Sequence, residues 1–357
     1  MACSHSGLVA SVMLRTGAVL WQTTLPDRVE SSPVYHQGPD TDPLSHLTQS
    51  TAGSDSVLVG CYDHHLYSLN FSDGSIHWAV SLGGLVKCSA LLVEDTLVCG
   101  SYESNLVVRL RCQDGEQLWS REVEGSVLAS PVLDQEAVIV ATLRGIVYKL
   151  SLSSGEQVWR LELGKPVFGT PLVLLDSVLV PSVNNSLYQV SREGGECRGR
   201  VSTEGPIFSP PVPLSEEEAV LGCQDGHLYL VRVDQAGLSL VRKVPVGDGV
   251  TGSPDCEEVL VCSTTAGNIL LVETGSGEIL HSHRLPGHVF SSPVLHQVSP
   301  PLHHQHLNHL LTGAPGGGLQ GRLSLLSQDL WAGRRLVSPL TAADTTPHSA
   351  IHSETRD

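Results

Sequence analysis

Two short motifs place a carboxylate beside an imidazole, the pairing used in general acid–base catalysis. They are Asp63-His64-His65 and Asp225-Gly226-His227. A catalytic base must lie within hydrogen-bond reach of its partner, which such neighbours satisfy. Both motifs, however, occupy the same turn of a repeated strand pattern, and Asp is typical of turns because it accepts hydrogen bonds from nearby backbone amides. The recurrence favours turn chemistry, and we predict no catalytic residue here.

Four histidines crowd one short segment, His303, His304, His306 and His309. Imidazoles bind zinc or copper when their geometry is fixed and supporting hydrogen bonds orient them. No Cys or Asp lies nearby in the sequence. A solvated loop is therefore the expectation, and no metal or cofactor site is predicted, although metal binding by this loop is left open.

Cysteine is the remaining candidate for chemistry, and the chain has nine. Cys61, Cys99, Cys223 and Cys262 stand in the similar strands VLVGC, LVCG, VLGC and VLVC. We expect matching positions and burial as small hydrophobic residues. No Cys-x-x-Cys pair occurs, so a zinc ribbon or thioredoxin-type site is not supported. Reduced thiols predict an intracellular compartment.

A glycine and a tryptophan recur four residues apart, and this repeat determines the expected architecture. The pairs are Gly17 and Trp21, Gly74 and Trp78, Gly115 and Trp119, and Gly155 and Trp159. The frame continues without tryptophan from Gly195 to Gly199, Gly237 to Val241 and Gly277 to His281. A period of about 40 residues with several short strands is typical of a propeller blade.

Each repeat reads as four strands with different tasks. Small residues before a proline, as in Ser32-Pro33, Ser130-Pro131, Thr170-Pro171 and Ser292-Pro293, indicate the innermost strand. Proline is tolerated on an edge that needs no amide donor, and we expect a Leu or Phe to collide there. Tryptophan in the outermost strand is expected to cover the junction with the next blade.

Inner strands begin near seven points along the chain: Glu30, Val86, Val127, Val167, Ile207, Gly249 and Val289. A further strand pair precedes the first of these, so an all-β propeller of eight blades is favoured, with seven as the alternative. The predicted propeller spans 1–341, with ring closure by 336–341, and 342–357 is expected to be a disordered tail. Long insertions at 36–55 and 297–308 are expected on one face, as a wall against which another domain docks.

The charged residues of the chain limit the kinds of binding partner that we expect. The chain has 21 Lys and Arg against 37 Asp and Glu, a net charge of −16. Neither nucleic acid nor a membrane is expected as a partner. The N terminus lacks a basic, apolar signal sequence, so a cytoplasmic location is predicted. Because Met1 begins inside the repeat, we expect a fragment or short isoform of a longer protein.

The segment VLVGCYDHHLYSLNFSDGSIHW resembles the pyrroloquinoline-quinone-type propeller repeat over about 1–335. The segments SHSGLVASVMLRTGAVLWQTTLPDRVESS, LGKPVFGTP, EGPIFSPP and LPGHVFSSPVL resemble the C-terminal propeller of the animal β-alanine-activating enzymes. These belong to the acyl-CoA synthetase family and are also named aminoadipate-semialdehyde dehydrogenase. In that family the propeller follows an adenylate-forming domain and a phosphopantetheine carrier domain.

The resemblance implies two classes of function. No phosphate loop with a lysine, no carrier-type serine motif and no Gly-x-Ser-x-Gly elbow is seen here, so this chain is expected to lack ligase activity. The first class is a non-catalytic module that docks a protein or the family's catalytic domains. The alternative is a quinone- or metal-dependent oxidoreductase, but quinoproteins of this fold use adjacent cysteines and calcium ligands, and this sequence has no Cys-Cys pair.

Overall fold

The chain consists of β-strands wherever the structure describes it. The computed structural model describes residues 1–13, 16–38, 55–234, 237–256, 259–290, 292–298, 307–311 and 324–327. Within these ranges there are 30 strands and no helix. The expectation of an all-β fold is confirmed.

The first fifteen strands are β1 (Ala2–Cys3), β2 (Leu8–Val12), β3 (Val19–Thr24), β4 (Val34–His36), β5 (Ser56–Gly60), β6 (His65–Asn70), β7 (Ile76–Ser81), β8 (Leu91–Val93), β9 (Thr96–Gly100), β10 (Leu106–Arg111), β11 (Gln117–Glu122), β12 (Val132–Asp134), β13 (Ala137–Ala141), β14 (Ile146–Ser151) and β15 (Gln157–Glu162). The others are β16 (Leu172–Leu174), β17 (Ser177–Ser182), β18 (Ser186–Ser191), β19 (Cys197–Ser202), β20 (Val212–Pro213), β21 (Glu218–Gly222), β22 (His227–Asp234), β23 (Gly237–Pro245), β24 (Asp255–Cys256), β25 (Val259–Ser263), β26 (Asn268–Glu273), β27 (Ile279–Arg284), β28 (Val294–Val298), β29 (Leu307–Leu311) and β30 (Ser324–Ser327).

These strands form eight sheets that follow one another along the chain, each with its strands side by side in chain order. Sheet 1 (β1–β3) and sheet 8 (β28–β30) have three strands, and the six sheets between them have four. Sheets 2 to 7 are therefore β4–β7, β8–β11, β12–β15, β16–β19, β20–β23 and β24–β27. Serial four-stranded antiparallel meanders are the blades of a β-propeller.

The blade count differs in detail from the sequence prediction. Counted from Val34, seven sheets follow one another, which is the alternative count of seven, and six of these seven have the four strands predicted. An eighth blade requires sheet 1 to be completed by 336–341, which lies outside the described residues. The eight-bladed ring therefore stays a prediction.

The chain divides into two units, 1–294 with 312–321, and 295–311 with 322–357. Sheets 1 to 7 belong to the first unit, and β29 and β30 belong to the second. Most of the 36–55 insertion, the His303–His306 segment and the 342–357 tail lie outside the described residues, and His309 lies in β29. The expected wall of insertions therefore stays a prediction.

The first strand of each four-stranded sheet is the innermost one. Strands β8, β12, β16, β20 and β24 contact one another in this order. The serines predicted for these strands lie two residues ahead of them, in segments that we call the inner segments (29–33, 86–90, 127–131, 167–171, 207–211, 250–254 and, of the last, 289–290 with 292–293). Proline at the end of most of these segments prevents a ladder with the second strand from starting earlier.

Neighbouring inner segments are joined by backbone-to-hydroxyl hydrogen bonds. The amide of Ser32 donates to Ser89 Oγ at 2.9 Å, that of Ser89 to Ser130 Oγ at 3.1 Å, and that of Ser130 to Thr170 Oγ1 at 3.2 Å. Pro210 stands at the next equivalent position and has neither an amide hydrogen nor a hydroxyl. The small residues therefore serve as links between sheets as well as fitting a crowded axis.

Hydrophobic cores lie between successive sheets from sheet 1 to sheet 7, so sheets 2 to 6 are covered on both faces. In β14, Ile146, Tyr148 and Leu150 pack into the core shared with sheet 3, whereas Val147 packs into the core shared with sheet 5. This is the alternation expected from the sequence. Six such clusters connect sheets 1 to 7.

The four tryptophans in the described part of the chain reach forward into the next sheet. Trp21, Trp78, Trp119 and Trp159 donate their indole N–H to the carbonyl oxygens of Phe71, Cys112, Leu152 and Arg192, at 2.8, 2.9, 2.8 and 3.0 Å. Trp119 and Trp159 are 9% and 7% exposed, as predicted, while Trp78 is half-buried.

The repeated glycine belongs to the same junction. At Gly155, with φ +71°, an added methyl group would stand 2.7 Å from Cε3 of Trp119. Gly74, Gly115 and Gly195 lie against Trp21, Trp78 and Trp159 in the same way. Glycine is thus required both for the positive φ of the turn and for room for the indole ring of the preceding sheet.

The tryptophan position of sheet 6 is not the one predicted. The expected residue was Val241, but the β22–β23 hairpin is longer, and Arg242 pairs with Leu230 where Trp78 pairs with Ser68 in sheet 2. The Arg242 guanidinium donates to the carbonyl of Gly275 in sheet 7. The longer hairpin shifts the equivalent position by one residue, from Val241 to Arg242. The contact with the next sheet is kept, but an arginine side chain makes it in place of an indole.

One buried ion cluster joins sheets 4 and 5. Asp134, whose side chain is fully buried, lies 2.7 Å from Lys149 Nζ and accepts a 2.8 Å hydrogen bond from Arg192 Nε. Burial alone would raise the pKa of Asp134, but hydrogen bonds and charge from Arg192 and Lys149 outweigh burial, so the pKa is lowered.

The four strand cysteines are all buried, as predicted, but they do not share one position. Cys99 and Cys262 lie on β9 and β25, whereas Cys61 and Cys223 follow the last residues of β5 and β21. The positions differ by two residues, so the four side chains lie on the same face of their strands. Each is buried in the core that its sheet shares with the preceding sheet.

Thiol reactivity in the native protein is expected to follow this burial. Cys197 is exposed and should react first, whereas Cys61, Cys99, Cys223 and Cys262 should react slowly. Burial raises the pKa of Cys262 to about 12, which keeps the unreactive thiol form dominant. Labelling followed by mass spectrometry measures the order, and Cys197→Ser should remove the fast phase. Fast modification of the buried four, or a disulfide among them, would contradict the assignment.

Candidate binding surface

Side chains of the inner segments alternate between the blade junction and the propeller axis. In sheet 4, Val127, Ala129 and Pro131 are buried, while Leu128 and Ser130 are half-buried. Alternation of this kind places every second side chain on the same side of an extended segment. Each inner segment therefore presents two axial side chains, a first and a second.

The first axial position is occupied by different chemistry in each sheet. From sheet 2 to the start of sheet 8 its residues are Glu30, Lys87, Leu128, Phe168, Phe208, Thr251 and Phe290. Three of the four phenylalanines in the chain stand here. Phe168 and Phe208 are half-buried, with ring centroids 5.2 Å apart in an edge-to-face arrangement, and Phe290 is 55% exposed.

The expectation that Leu or Phe would collide on the inner strand is therefore wrong at this position. The close approach of neighbouring backbones occurs one residue later, where a methyl group on Gly169 would stand 2.9 Å from the carbonyl oxygen of Ser209. Small residues are required there, whereas the first axial position accepts the half-buried side chains of Leu128, Phe168 and Phe208.

Lys87 lies between two tyrosines. Its ammonium is 4.0 Å from the centroid of Tyr102 and 4.9 Å from that of Tyr62. Both tyrosines begin the turn between a second and a third strand, and their amides donate to the carbonyls of Arg28 and Leu85 at 2.9 and 2.8 Å. Backbone bonds to the residues just before two inner segments thus hold both rings beside the lysine, a cation–π arrangement.

Glu30 stands at the same position of the preceding inner segment and already has hydrogen-bond and charge partners. It accepts a hydrogen bond from the Tyr62 hydroxyl and lies 3.7 Å from Arg28 and from His5. Burial and then this hydrogen bond raise the pKa of Tyr62. We define the axial surface as Tyr62, Lys87, Tyr102, Leu128, Phe168 and Phe208.

The Asp-His motifs noted in the sequence do not contribute to this surface as a catalytic pair. Asp63 Oδ1 accepts the amide of His65 at 3.2 Å, and Asp225 Oδ1 accepts that of His227 at 3.1 Å. The motifs belong to sheets 2 and 6, and each is bonded within its own turn. His64 has φ 76° at the position of Gly226, φ 81°. These are turns stabilised by aspartate, as the recurrence predicted.

Each of these aspartates also binds the tyrosine four residues later. The hydroxyls of Tyr67 and Tyr229 donate to Asp63 Oδ2 and Asp225 Oδ2 at 2.5 Å. Burial would raise the pKa of Asp225, but hydrogen bonds, first that from Tyr229, outweigh it and lower the pKa. Burial and the bond to Asp225 raise the pKa of Tyr229 to about 12. In both turns the tyrosine hydroxyl donates and the aspartate accepts, which ties the third strand to the turn before it.

The described ranges contain neither a cluster of metal ligands nor a membrane-spanning helix. No group of three or more His, Cys, Asp and Glu side chains is arranged to hold a metal ion there. No helix in that part of the chain is long and apolar enough to span a membrane.

The family model of the β-alanine-activating enzyme β-propeller matches residues 1–299. The chain belongs to this family. The Drosophila melanogaster β-alanine-activating enzyme is 31% identical over 316 residues, which is 81% of this chain but 30% of that protein. The chain thus spans less than a third of the length of this β-alanine-activating enzyme.

Solved structures support the fold of this β-alanine-activating enzyme propeller. BamB from Moraxella catarrhalis superposes with a TM-score of 0.67 at 16% identity, covering 87% of this chain and 89% of BamB. The computationally designed Ika8 protein superposes with a TM-score of 0.70 at 13% identity, covering 90% and 91% of the two chains. At these identities the likeness concerns the fold alone.

Sequence reasoning missed Lys87, Phe168 and Phe208. A signal was available, because VFG, IFS and VFS repeat the same aromatic position in three inner segments. Recognising it required the alternation to be followed through the inner segment rather than the small residues alone.

Proposed function

We propose that this chain is a non-catalytic docking module of an amino-acid-activating, adenylate-forming ligase of the β-alanine type. The observation that carries the proposal is the axial surface, where four half-buried aromatic rings, two of them against Lys87, occur in a chain with only 4% aromatic residues. Aromatic side chains are enriched in protein–protein interfaces. The family relation supplies the context, since the matched relative has a large remainder outside the propeller.

The proposed partner is a protein, or the catalytic domains of the same enzyme, in the cytoplasm. The eight cysteines with described side chains are all free, which supports a reducing compartment. We propose no quinone, metal or other cofactor.

Docking is tested on the intact Drosophila relative by chemical cross-linking and mass spectrometry. We expect cross-links between the axial face of its propeller and the remainder of that enzyme. Cross-links confined to the residues next to the propeller in the sequence would contradict docking, because a tethered but undocked propeller gives only those.

The oxidoreductase alternative is tested on this chain by calorimetric titration with pyrroloquinoline quinone and calcium. We expect no saturable heat and no dye-linked alcohol oxidation. Micromolar saturable binding together with oxidation would overturn the docking function and restore the enzyme class.

A further inference from the structure

We infer that the axial surface binds an extended acidic segment that carries aromatic or large aliphatic side chains. This inference rests on the proposed docking function and states the chemistry of the docked partner. A carboxylate of the segment meets Lys87 and Tyr102, and an apolar side chain packs on Phe168 and Phe208.

Lys87 is the positively charged group that an acidic segment would contact. An ammonium group has three N–H donors, and the described contacts of Lys87 are two ring faces, with no carboxylate among the described residues within ion-pair distance. Ring faces attract the charge without accepting its hydrogen bonds in the way an oxyanion does. Lys149 and Lys243, by contrast, pair with Asp134 and Glu204. Lys87 is thus held in place with its donors available.

The inner segments of sheets 4 and 5 also carry hydroxyl groups that keep a hydrogen to donate. Ser130 Oγ and Thr170 Oγ1 each accept a backbone amide from the preceding inner segment. A hydroxyl that accepts retains its own hydrogen to donate. These donors favour an oxygen-rich ligand such as a carboxylate or a peptide carbonyl.

The positive charge of Lys87 is the local feature that favours an acidic partner. The chain as a whole carries a net charge of −16, so it offers an acidic segment no long-range attraction, and binding depends on the contact with this lysine. Glu30 does not compete for Lys87, because its carboxylate binds Tyr62 and lies beside Arg28.

The apolar part extends over neighbouring sheets. Leu128, Phe168 and Phe208 follow Lys87 at the same position of the next three inner segments. Covering these half-buried side chains removes apolar surface from water. Because the groups are distributed over the inner segments of sheets 3 to 6, the ligand must span several residues, which favours a peptide segment over a small metabolite.

The test uses the full chain and a fluorescein-labelled octapeptide of alternating glutamate and phenylalanine, followed by fluorescence anisotropy. Matched peptides replace glutamate with glutamine, or phenylalanine with serine. We expect the Glu/Phe peptide to bind best, in a salt-dependent manner. Lys87→Met and Phe208→Ala should each weaken binding about tenfold or more. Lys165→Met, an exposed lysine outside the axial surface, is the matched control and should change binding less than twofold.

Equal binding of the glutamine peptide, or unchanged binding to a folded Lys87→Met variant, would overturn the inference. So would tighter binding of a single-stranded oligonucleotide, which also combines anions with stacking rings. If Phe208→Ala fails to fold, the Lys87→Met variant and the peptide series still test the inference. Cross-links in the intact relative without peptide binding here would defeat this inference alone, and peptide binding without such cross-links would defeat only the docking function.

Discussion

Replacing Trp119 by alanine is expected to lower the free energy of unfolding by about 3–5 kcal/mol. The indole is 9% exposed and packs in the core between sheets 3 and 4. Its loss removes apolar contacts and the hydrogen bond to the Leu152 carbonyl. Chemical denaturation of the variant and the parent chain measures the difference. Leu118→Ala is the control, because Leu118 is 41% exposed in the same strand.

The glycine of the next sheet provides a second test of this junction. Gly155→Ala and Gly164→Ala impose the same positive φ on alanine, +71° and +74°, but only the methyl group at 155 meets Trp119. The first substitution should be clearly more destabilising than the second. In a Trp119→Ala background the two should become similar. A difference that persists without the indole would mean that the glycine serves only the turn.

Replacing Asp134 by asparagine is expected to cost about 3–5 kcal/mol of stability, since it leaves two cations beside each other in a largely buried site. Lys149 and Arg192 have side chains only 13% and 22% exposed. Denaturation again gives the value. Asp176→Asn is the matched control, because that carboxylate is 67% exposed beside Arg198 and should leave stability nearly unchanged.

The same cluster predicts a pH dependence. The pKa of Asp134 is lower in the folded chain than in the unfolded chain. Its contribution is therefore complete above the unfolded pKa of about 4 and is lost as the pH falls through the lowered folded value. Between pH 6 and pH 3 the parent should lose more stability than Asp134→Asn. Equal losses would show that Asp134 is not the titrating group.

Most of the fold follows from the sequence because the blade repeat leaves a strong local pattern. The Gly-to-Trp spacing identified the turn and the outermost strand, and the structure shows that one residue exists to receive the other. The proline after a small residue marked the innermost strand, although ladder pairing begins after it. Burial of Cys61 and Cys99 was predicted for a shared position, and it holds because their two positions lie on the same strand face, in the core shared with the preceding sheet.

What the sequence pattern missed depends on single-residue registers and on contacts between distant segments. The longer hairpin of sheet 6 moved the forward contact from Val241 to Arg242, and hairpin length is not visible in a spacing rule. Lys87 and Tyr62 are far apart in sequence, so their ring contact appears only when neighbouring sheets are assembled. Phe168 was excluded by a packing rule that applies one residue later, at Gly169.

The direction of the indole bonds has a consequence for how the chain is made. The four tryptophans among the described residues bind carbonyls that come later in the sequence, 33 to 50 residues on. On a ribosome that adds about 5–20 residues per second, a newly emerged blade waits roughly 2–7 s for the 33-residue partner of its tryptophan. During that interval the face of the blade that packs against the next blade is uncovered. The most recently emerged blade of the growing polypeptide is therefore always incomplete. A translation pause just before Leu152 would prolong the exposure of Trp119.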